Sequence, residues 1–236
     1  MNAVIFGSSG GIGRALTENL IQSGAYSRVF AVSRSGAGIE GATALTADFL
    51  DETALDAVAQ AIGEEGPVAL CIVASGILSD GDTLQPEKSY RHQSRAAFET
   101  VFAANTVAPA LIAKHMLPLM PKKERSVFAA LSARVGSISD NRLGGWHAYR
   151  ASKAALNLLI RNYAIEQARR APGSICAGLH PGTVDTGLSR PFQSGVPDGK
   201  LFTPQQSAAY LLGVIDRLTP EDSGKCFDWN GQEVPA

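Results

Sequence analysis

Cysteine is scarce in this chain, with only Cys71, Cys176 and Cys226 among 236 residues. They are odd in number, far apart, and placed in or beside apolar strand-like runs. That pattern excludes a disulfide framework or a zinc cluster and leaves three buried thiols. Charge imbalance is missing as well. The net charge is −1, with Lys and Arg scattered along the chain, so no nucleic-acid surface and no patch for an anionic membrane is expected. No apolar run approaches the length of a membrane span. The first strand-like run begins almost at Met1 and leaves no room for a signal peptide, so the cytoplasm is the expected compartment. Internal repeats and low-complexity tracts are absent too, and no metal site is expected.

Glycine and apolar residues are plentiful: 24 Gly and a hydrophobic content of 45%. A chain of this length can fill one large α/β core, so residues 1–236 read as a single domain. Strand-like runs at "AVIF", "RVFAVS", "TALTA", "VALCIVA", "SVFAALS", "SICAGLH" and "KCFDW" alternate with helical patterns. Such alternation predicts parallel strands joined by right-handed crossovers, a doubly wound sheet with helices on both faces. Its ligand belongs beyond the carboxyl ends of the strands. Two irregular stretches, near residues 79–93 and 185–204, are long enough to be functional loops.

The first strand end is "GSSGGIG", residues 7–13, between "AVIF" and a run with Ile12, Leu16 and Leu20 at helical spacing that stops at Gly24. A strand, a glycine turn and a helix in this order aim free N–H groups and the positive helix end at one point, which suits a phosphate. Arg14 follows Gly13 where a mononucleotide P-loop carries Lys-Ser/Thr, so a dinucleotide pyrophosphate is the better candidate. The second strand ends at Ser33 and Arg34, where the adenosine ribose of a dinucleotide lies. An Arg there accommodates the 2′-phosphate of NADP, with Arg14 in the glycine turn as a second cation. Asp48, after the third strand, either accepts from the adenine amine or caps the next helix.

The most specific constellation is "YRASK", with Tyr149 and Lys153 four residues apart at the start of a long helix. Residues at that spacing share one helix face. A nearby ammonium favours the phenolate and so lowers the tyrosine pKa from its ordinary value of about 10.

Together the spacing Gly7, Gly11, Gly13, the "YRASK" helix start, "ASG" at 74–76, "AANT" around Asn105 and "HPGTVDT" at 180–186 resemble the short-chain dehydrogenase/reductase family over nearly the whole chain. The stretch "SARVGSISDNRLGGWHAYRASKAALN" resembles its C-factor-like and carbonyl-reductase-like members. The resemblance implies one Rossmann-type domain of about seven strands that moves hydride between a nicotinamide and a carbonyl or alcohol. It implies Tyr149 as general acid, Lys153 on the nicotinamide ribose, and Asn105 holding a backbone position or a water in the proton relay. It implies cofactor contacts from Gly7, Ser9, Gly10, Gly11, Ile12 and Gly13, from Ser33, Arg34, Asp48 and Phe49, and from Ala74, Ser75 and Gly76. Asn105, Tyr149 and Lys153 join them, with Pro181, Gly182, Val184 and Thr186 offering backbone groups to the carboxamide. The implied cofactor is NADP(H), the partner a small carbonyl or alcohol substrate, and the assembly a homodimer or homotetramer.

Two departures stand out. "VASG" puts Ala74 and Ser75 where relatives commonly carry two asparagines. The serine usually found three residues before Gly136 is Ala133, with Ser132 one place earlier. The donor to the substrate oxygen is then Ser132, which needs the smaller rearrangement, or Ser137, or a backbone N–H. A cofactor-binding signalling protein without turnover is the alternative, and a sugar epimerase a lesser rival.

Overall fold

The computed structural model describes residues 1–81 and 83–236; Asp82, in the first irregular stretch, lies outside them. The chain begins with β1 (Asn2–Phe6), α1 (Gly11–Ser23), β2 (Val29–Ser33), β3 (Thr43–Thr46), α2 (Glu52–Glu64) and β4 (Val68–Val73). Then come α3 (Arg95–Phe102), a π-helical turn (Ala103–Val107), α4 (Ala108–Met116), β5 (Ser126–Leu131), α5 (His147–Arg170) and β6 (Ser174–His180). The last part holds β7 (Thr183–Val184), β8 (Leu201–Phe202), α6 (Pro204–Arg217), β9 (Cys226–Asp228) and β10 (Glu233–Val234).

Eight strands form the main sheet in the order β10-β9-β6-β5-β4-β1-β2-β3. Seven of them run parallel, as the alternating pattern predicts, and β10 adds an antiparallel edge on β9. The extra strand folds back through an Asn230-Gly231 turn in which Gly231 has φ +82, a backbone shape favoured by that dipeptide. β7 and β8 pair separately and close the base of the second irregular stretch.

Alternate strand residues fill opposite cores, which is what a sheet covered on both faces requires. Val4 and Phe6 join Leu55 of α2, Ile112 and Met116 of α4 and Leu156 of α5. Ala3 and Ile5 point the other way, into Leu16 of α1 and Leu211 and Val214 of α6. The three cysteines are buried and free.

One helical run differs from expectation. Arg95–Leu119 is 25 residues long with a hydropathy of 1.4 over its most apolar window, long and apolar enough by length and composition to cross a membrane. Pro109 and the polar pair Asn105–Thr106 interrupt the apolar pattern in the sequence and hide that length. Its apolar face goes into the core: Ile112, Ala113 and Met116 have no exposed surface.

The strand order reverses between β4 and β1, which opens a crevice at their carboxyl ends. The residues after β1, β2, β4 and β5 therefore meet at one rim.

Candidate active site

The glycine turn is built around two close approaches. Gly7 has φ +86, and a Cβ there would lie 2.9 Å from the Ala74 carbonyl carbon and the Ser75 nitrogen. A Cβ on Gly13 would lie 2.2 Å from the Gly7 carbonyl oxygen. Glycine at both positions lets α1 start directly over β1. The helix N-cap is Gly10, which offers no side-chain cap. Its first N–H groups are thus left for a ligand. Beside them the hydroxyls of Ser8 and Ser75 are buried without a hydrogen-bond partner.

Two adjoining cavities run along this rim. The first, of about 390 Å³, is lined by Gly7, Ser9, Gly10, Ser33, Arg34, Asp48, Phe49 and the Ala74–Gly76 turn. The second, of about 310 Å³, shares Gly10 and Ala74–Gly76 and continues to Gly11, Ile12, Ser132, Tyr149, Lys153, Pro181 and Thr186. One groove thus links the end of β2 to the start of α5. An elongated dinucleotide fits this donor set: free amides at the glycine turn, a guanidinium at one end, and an ammonium and a phenol at the other.

Several expected residues serve the groove without lining it. Gly13 packs on Gly7, Gly182 packs on Phe202 and Trp229, and Val184 is buried in β7. Asn105 sits in the π turn, a helical irregularity often found at functional positions. Its Oδ1 accepts from Ile77 N at 2.8 Å, while Nδ2 donates to the Ile77 carbonyl at 2.8 Å and to Ser152 Oγ at 3.2 Å. Both bonds to Ile77 tie the Asn105 amide to that backbone. Asp48 does not cap α2. Asp51 does, accepting from Thr53 N and Ala54 N, and Asp48 Oδ1 accepts from Leu50 N. Arg14 faces away into an exposed pair with Glu18 at 2.8 Å.

Tyr149 and Lys153 stand one turn apart on the first turns of α5, with the ammonium 5.8 Å from the ring centroid. Both are nearly fully buried. Burial raises the Tyr149 pKa to about 12 and lowers that of Lys153 to about 8. Desolvation, which disfavours any charged form, here works against the depression expected from the neighbouring ammonium. Lys153 Nζ donates to the Leu131 carbonyl at 2.8 Å. A neutral buried phenol is a proton donor.

Ser132 continues the face of β5 that carries Phe128 and Ala130. Its Oγ donates to Asn157 Oδ1 of α5 at 2.6 Å. Ser137 is held by Asp140 N at 3.1 Å and by the carbonyl of Ala236 at 3.5 Å.

Residues 1–196 match the family model described as short chain dehydrogenase. The chain belongs to this family. Among its relatives, C-signal of Myxococcus xanthus is 39% identical over 134 residues, 57% of this chain and 75% of that protein. The 1-hydroxy-2-glutathionyl-2-methyl-3-butene dehydrogenase of Rhodococcus sp. (strain AD45) is 36% identical over 121 residues, 51% of this chain and 50% of the relative. The fold is that of the NADPH-bound carbonyl reductase from chicken fatty liver, with a TM-score of 0.85 at 24% identity over 100% of this chain and 98% of that one.

Around this dehydrogenase groove stand residues that the motifs alone did not expose. Trp146 precedes α5 in the left-handed conformation (φ 50), the one non-glycine residue there among those described. Its N donates to the Glu87 carbonyl at 2.6 Å. The Glu87 carboxylate, brought 61 residues forward from the first irregular stretch, accepts from Ala148 N at 3.3 and 3.4 Å. It supplies the cap that Trp146 lacks. The Trp146 ring meets Tyr149 edge-on at 6.3 Å and Phe192 at 5.1 Å, so α5 and the second irregular stretch share one aromatic wall. Ala104 and Ala108 line the first cavity and Leu131, Gly187 and Leu188 the second. Helical spacing from Asn105 marks Ala108; no local pattern marks Glu87.

Proposed function

We propose that this dehydrogenase reduces a small aldehyde or ketone with NADPH, or oxidises the matching alcohol with NADP, and works as a homodimer or homotetramer. The observation that carries the reading is the buried, neutral phenol of Tyr149 with Lys153 one turn on, at the far end of a groove that begins in the glycine turn. The bound cofactor supplies the hydride. The protein's part is to seat the pyrophosphate on the amides after Gly10, to face the 2′-phosphate with Arg34, and to give the substrate oxygen a proton from Tyr149 Oη. Lys153, whose pKa of about 8 lies near neutrality, can take up and pass on the proton that restores the phenol. Asn105 keeps the Ile77 backbone in place beneath the groove.

The test is NADPH consumption over a panel of aldehydes and ketones. Tyr149→Phe lowers the rate roughly 10²–10⁴-fold by removing the acid. Arg34→Glu erases a preference for NADPH over NADH of about one to two decades in affinity, the worth of a charge-assisted hydrogen bond of roughly 1.5–3 kcal/mol. Equal rates for Tyr149→Phe and the unmutated protein refute the mechanism. A binding-only role is the second reading, favoured by Ala133 beside Tyr149; tight NADPH binding with no turnover on any carbonyl would support it.

A further inference from the structure

Beside the helix that carries Tyr149 lies a buried carboxylate that lines neither cavity of the groove. Glu87, in the first irregular stretch, is 4% exposed. Among the described residues no lysine, arginine or histidine forms an ion pair with it. A carboxylate buried without a cation is costly, so a specific partner has to hold it. That partner is the start of α5. The Glu87 carboxylate accepts from Ala148 N at 3.3 and 3.4 Å, at the positive end of a 24-residue helix. The carbonyl of the same residue accepts from Trp146 N at 2.6 Å. Leu84, from the same stretch, is buried in one cluster with Ala148 and Tyr149.

The backbone that Glu87 holds is unusual. Gly144, Gly145 and Trp146 have φ of +63, +65 and +50 in succession. Residues visit this left-handed region singly, and a side chain as bulky as indole stays there only when its surroundings impose it. A Cβ on Gly145 would stand 3.3 Å from the Glu87 carbonyl oxygen, so the turn and the stretch around Glu87 lie in contact. From within the helix, Arg150 Nε donates to the Gly145 carbonyl at 3.1 Å. Freed from Glu87, the turn would relax toward ordinary φ and carry the first turn of α5 with it. We infer that Glu87 is a positioning residue for Tyr149: by capping α5 and holding the left-handed turn, it fixes the phenol where the substrate oxygen arrives. The inference rests on the reductase reading above. A proton donor has to stand within hydrogen-bond reach of its target, and a misplacement of about 1 Å costs on the order of 10²-fold in rate. Reach is the property that matters. A glutamine offers Ala148 N an oxygen at the same distance without the charge, whereas an aspartate keeps the charge and falls one methylene short.

The test compares Glu87→Ala, Glu87→Asp and Glu87→Gln on the aldehyde or ketone of the panel that the unmutated protein turns over fastest. Three readouts are needed: kcat and KM from NADPH consumption, NADPH affinity from the fluorescence of the cofactor, and the emission of Trp146. The last uses a Trp229→Phe background, which leaves Trp146 as the only indole. Glu87→Ala and Glu87→Asp should each lower kcat by about 10²-fold, with KM and NADPH affinity within a few-fold of the unmutated values. Their Trp146 emission should shift to the red as the ring leaves Tyr149 and Phe192. Glu87→Gln should keep kcat within a few-fold and leave the emission in place. Full kcat in Glu87→Ala, or a loss in Glu87→Gln as large as in Glu87→Asp, overturns the inference while the reductase reading stands. A loss of NADPH affinity that matches the loss of kcat also overturns it, because a general loosening of the fold would give that result. If Glu87→Ala does not fold, the contrast between Glu87→Asp and Glu87→Gln decides alone. Turnover of no aldehyde or ketone in the panel by the unmutated protein, with NADPH bound, overturns both.

Discussion

Lys153 shows at the residue scale how the site works against the stability of the fold. Its ammonium is buried among the ends of β5 and α5, and desolvation lowers its pKa to about 8 from an ordinary 10.5. At pH 9 the unfolded chain holds a proton on this lysine that the folded chain has released. Stability contributed by this group therefore rises as pH climbs from about 8 to 10.5 and is lowest below that window. Lys153→Met removes the penalty. Urea unfolding at pH 7 should show the variant more stable by up to about 3 kcal/mol, less what is lost with the hydrogen bond to Leu131. The advantage should shrink as pH is raised through 8 to 10.5. A constant difference across that range would mean that Lys153 is not titrating in the fold. The same substitution should abolish turnover, since the site then lacks the cation beside Tyr149.

At the scale of elements, the motif segments and the sheet they rise from were legible because each is written in contiguous residues. The glycine turn, the Tyr149–Lys153 spacing and the seven parallel strands follow from patterns within a few residues of one another. The eighth strand escaped notice because Glu233–Val234 is only two residues long, too short for a period to show, although Asn230-Gly231 signals its turn. Asp48 and Asp51 are both helix-start residues in sequence, and only the backbone path shows which one meets the Thr53 and Ala54 amides. Glu87 and Phe192 were out of reach, since their partners lie 61 and 46 residues away in the chain, at Ala148 and Trp146. Phe192 sits in the 3-10 turn Arg190–Gly195, and its ring packs on Trp146, whose own ring meets Tyr149. Gln193 Nε2 ties the same turn to Asp185 at 3.0 Å, within the stretch itself. The stretch is thus a loop on the β7–β8 base, with Phe192 packed on Trp146 at one point and Lys200 and Phe202 packed on Trp229 at another. Trypsin should cut it at Lys200, more slowly with NADPH and a ketone present, and Phe192→Ala should speed cutting and raise KM more than it lowers kcat. Cleavage unaffected by ligand or by the variant would show that this loop is no lid.

Over the whole molecule, the two faces of the sheet take most large apolar side chains, and three of the exposed ones lie on α5 and at the start of α4. On α5, Leu158 is 63% and Ile165 43% exposed, seven residues apart and so on one face, and Val107 at the entry to α4 is 44% exposed. α4 packs beside α5. Scattered exposed leucines need no explanation, but an apolar stripe along a helix that already buries Leu156, Ile160 and Ala164 on its other side points to a second surface to cover. A two-fold contact brings the same stripe of another copy onto it, since such an interface is self-complementary. Light scattering at micromolar concentration should therefore give two or four times 24.7 kDa. Leu158→Glu combined with Ile165→Glu should shift it to the single-chain mass, because like charges then face each other across the axis. Both positions are outside the core, so the double variant should keep its fold and its NADPH affinity. Single-chain mass for the unmutated protein would leave the stripe to another partner.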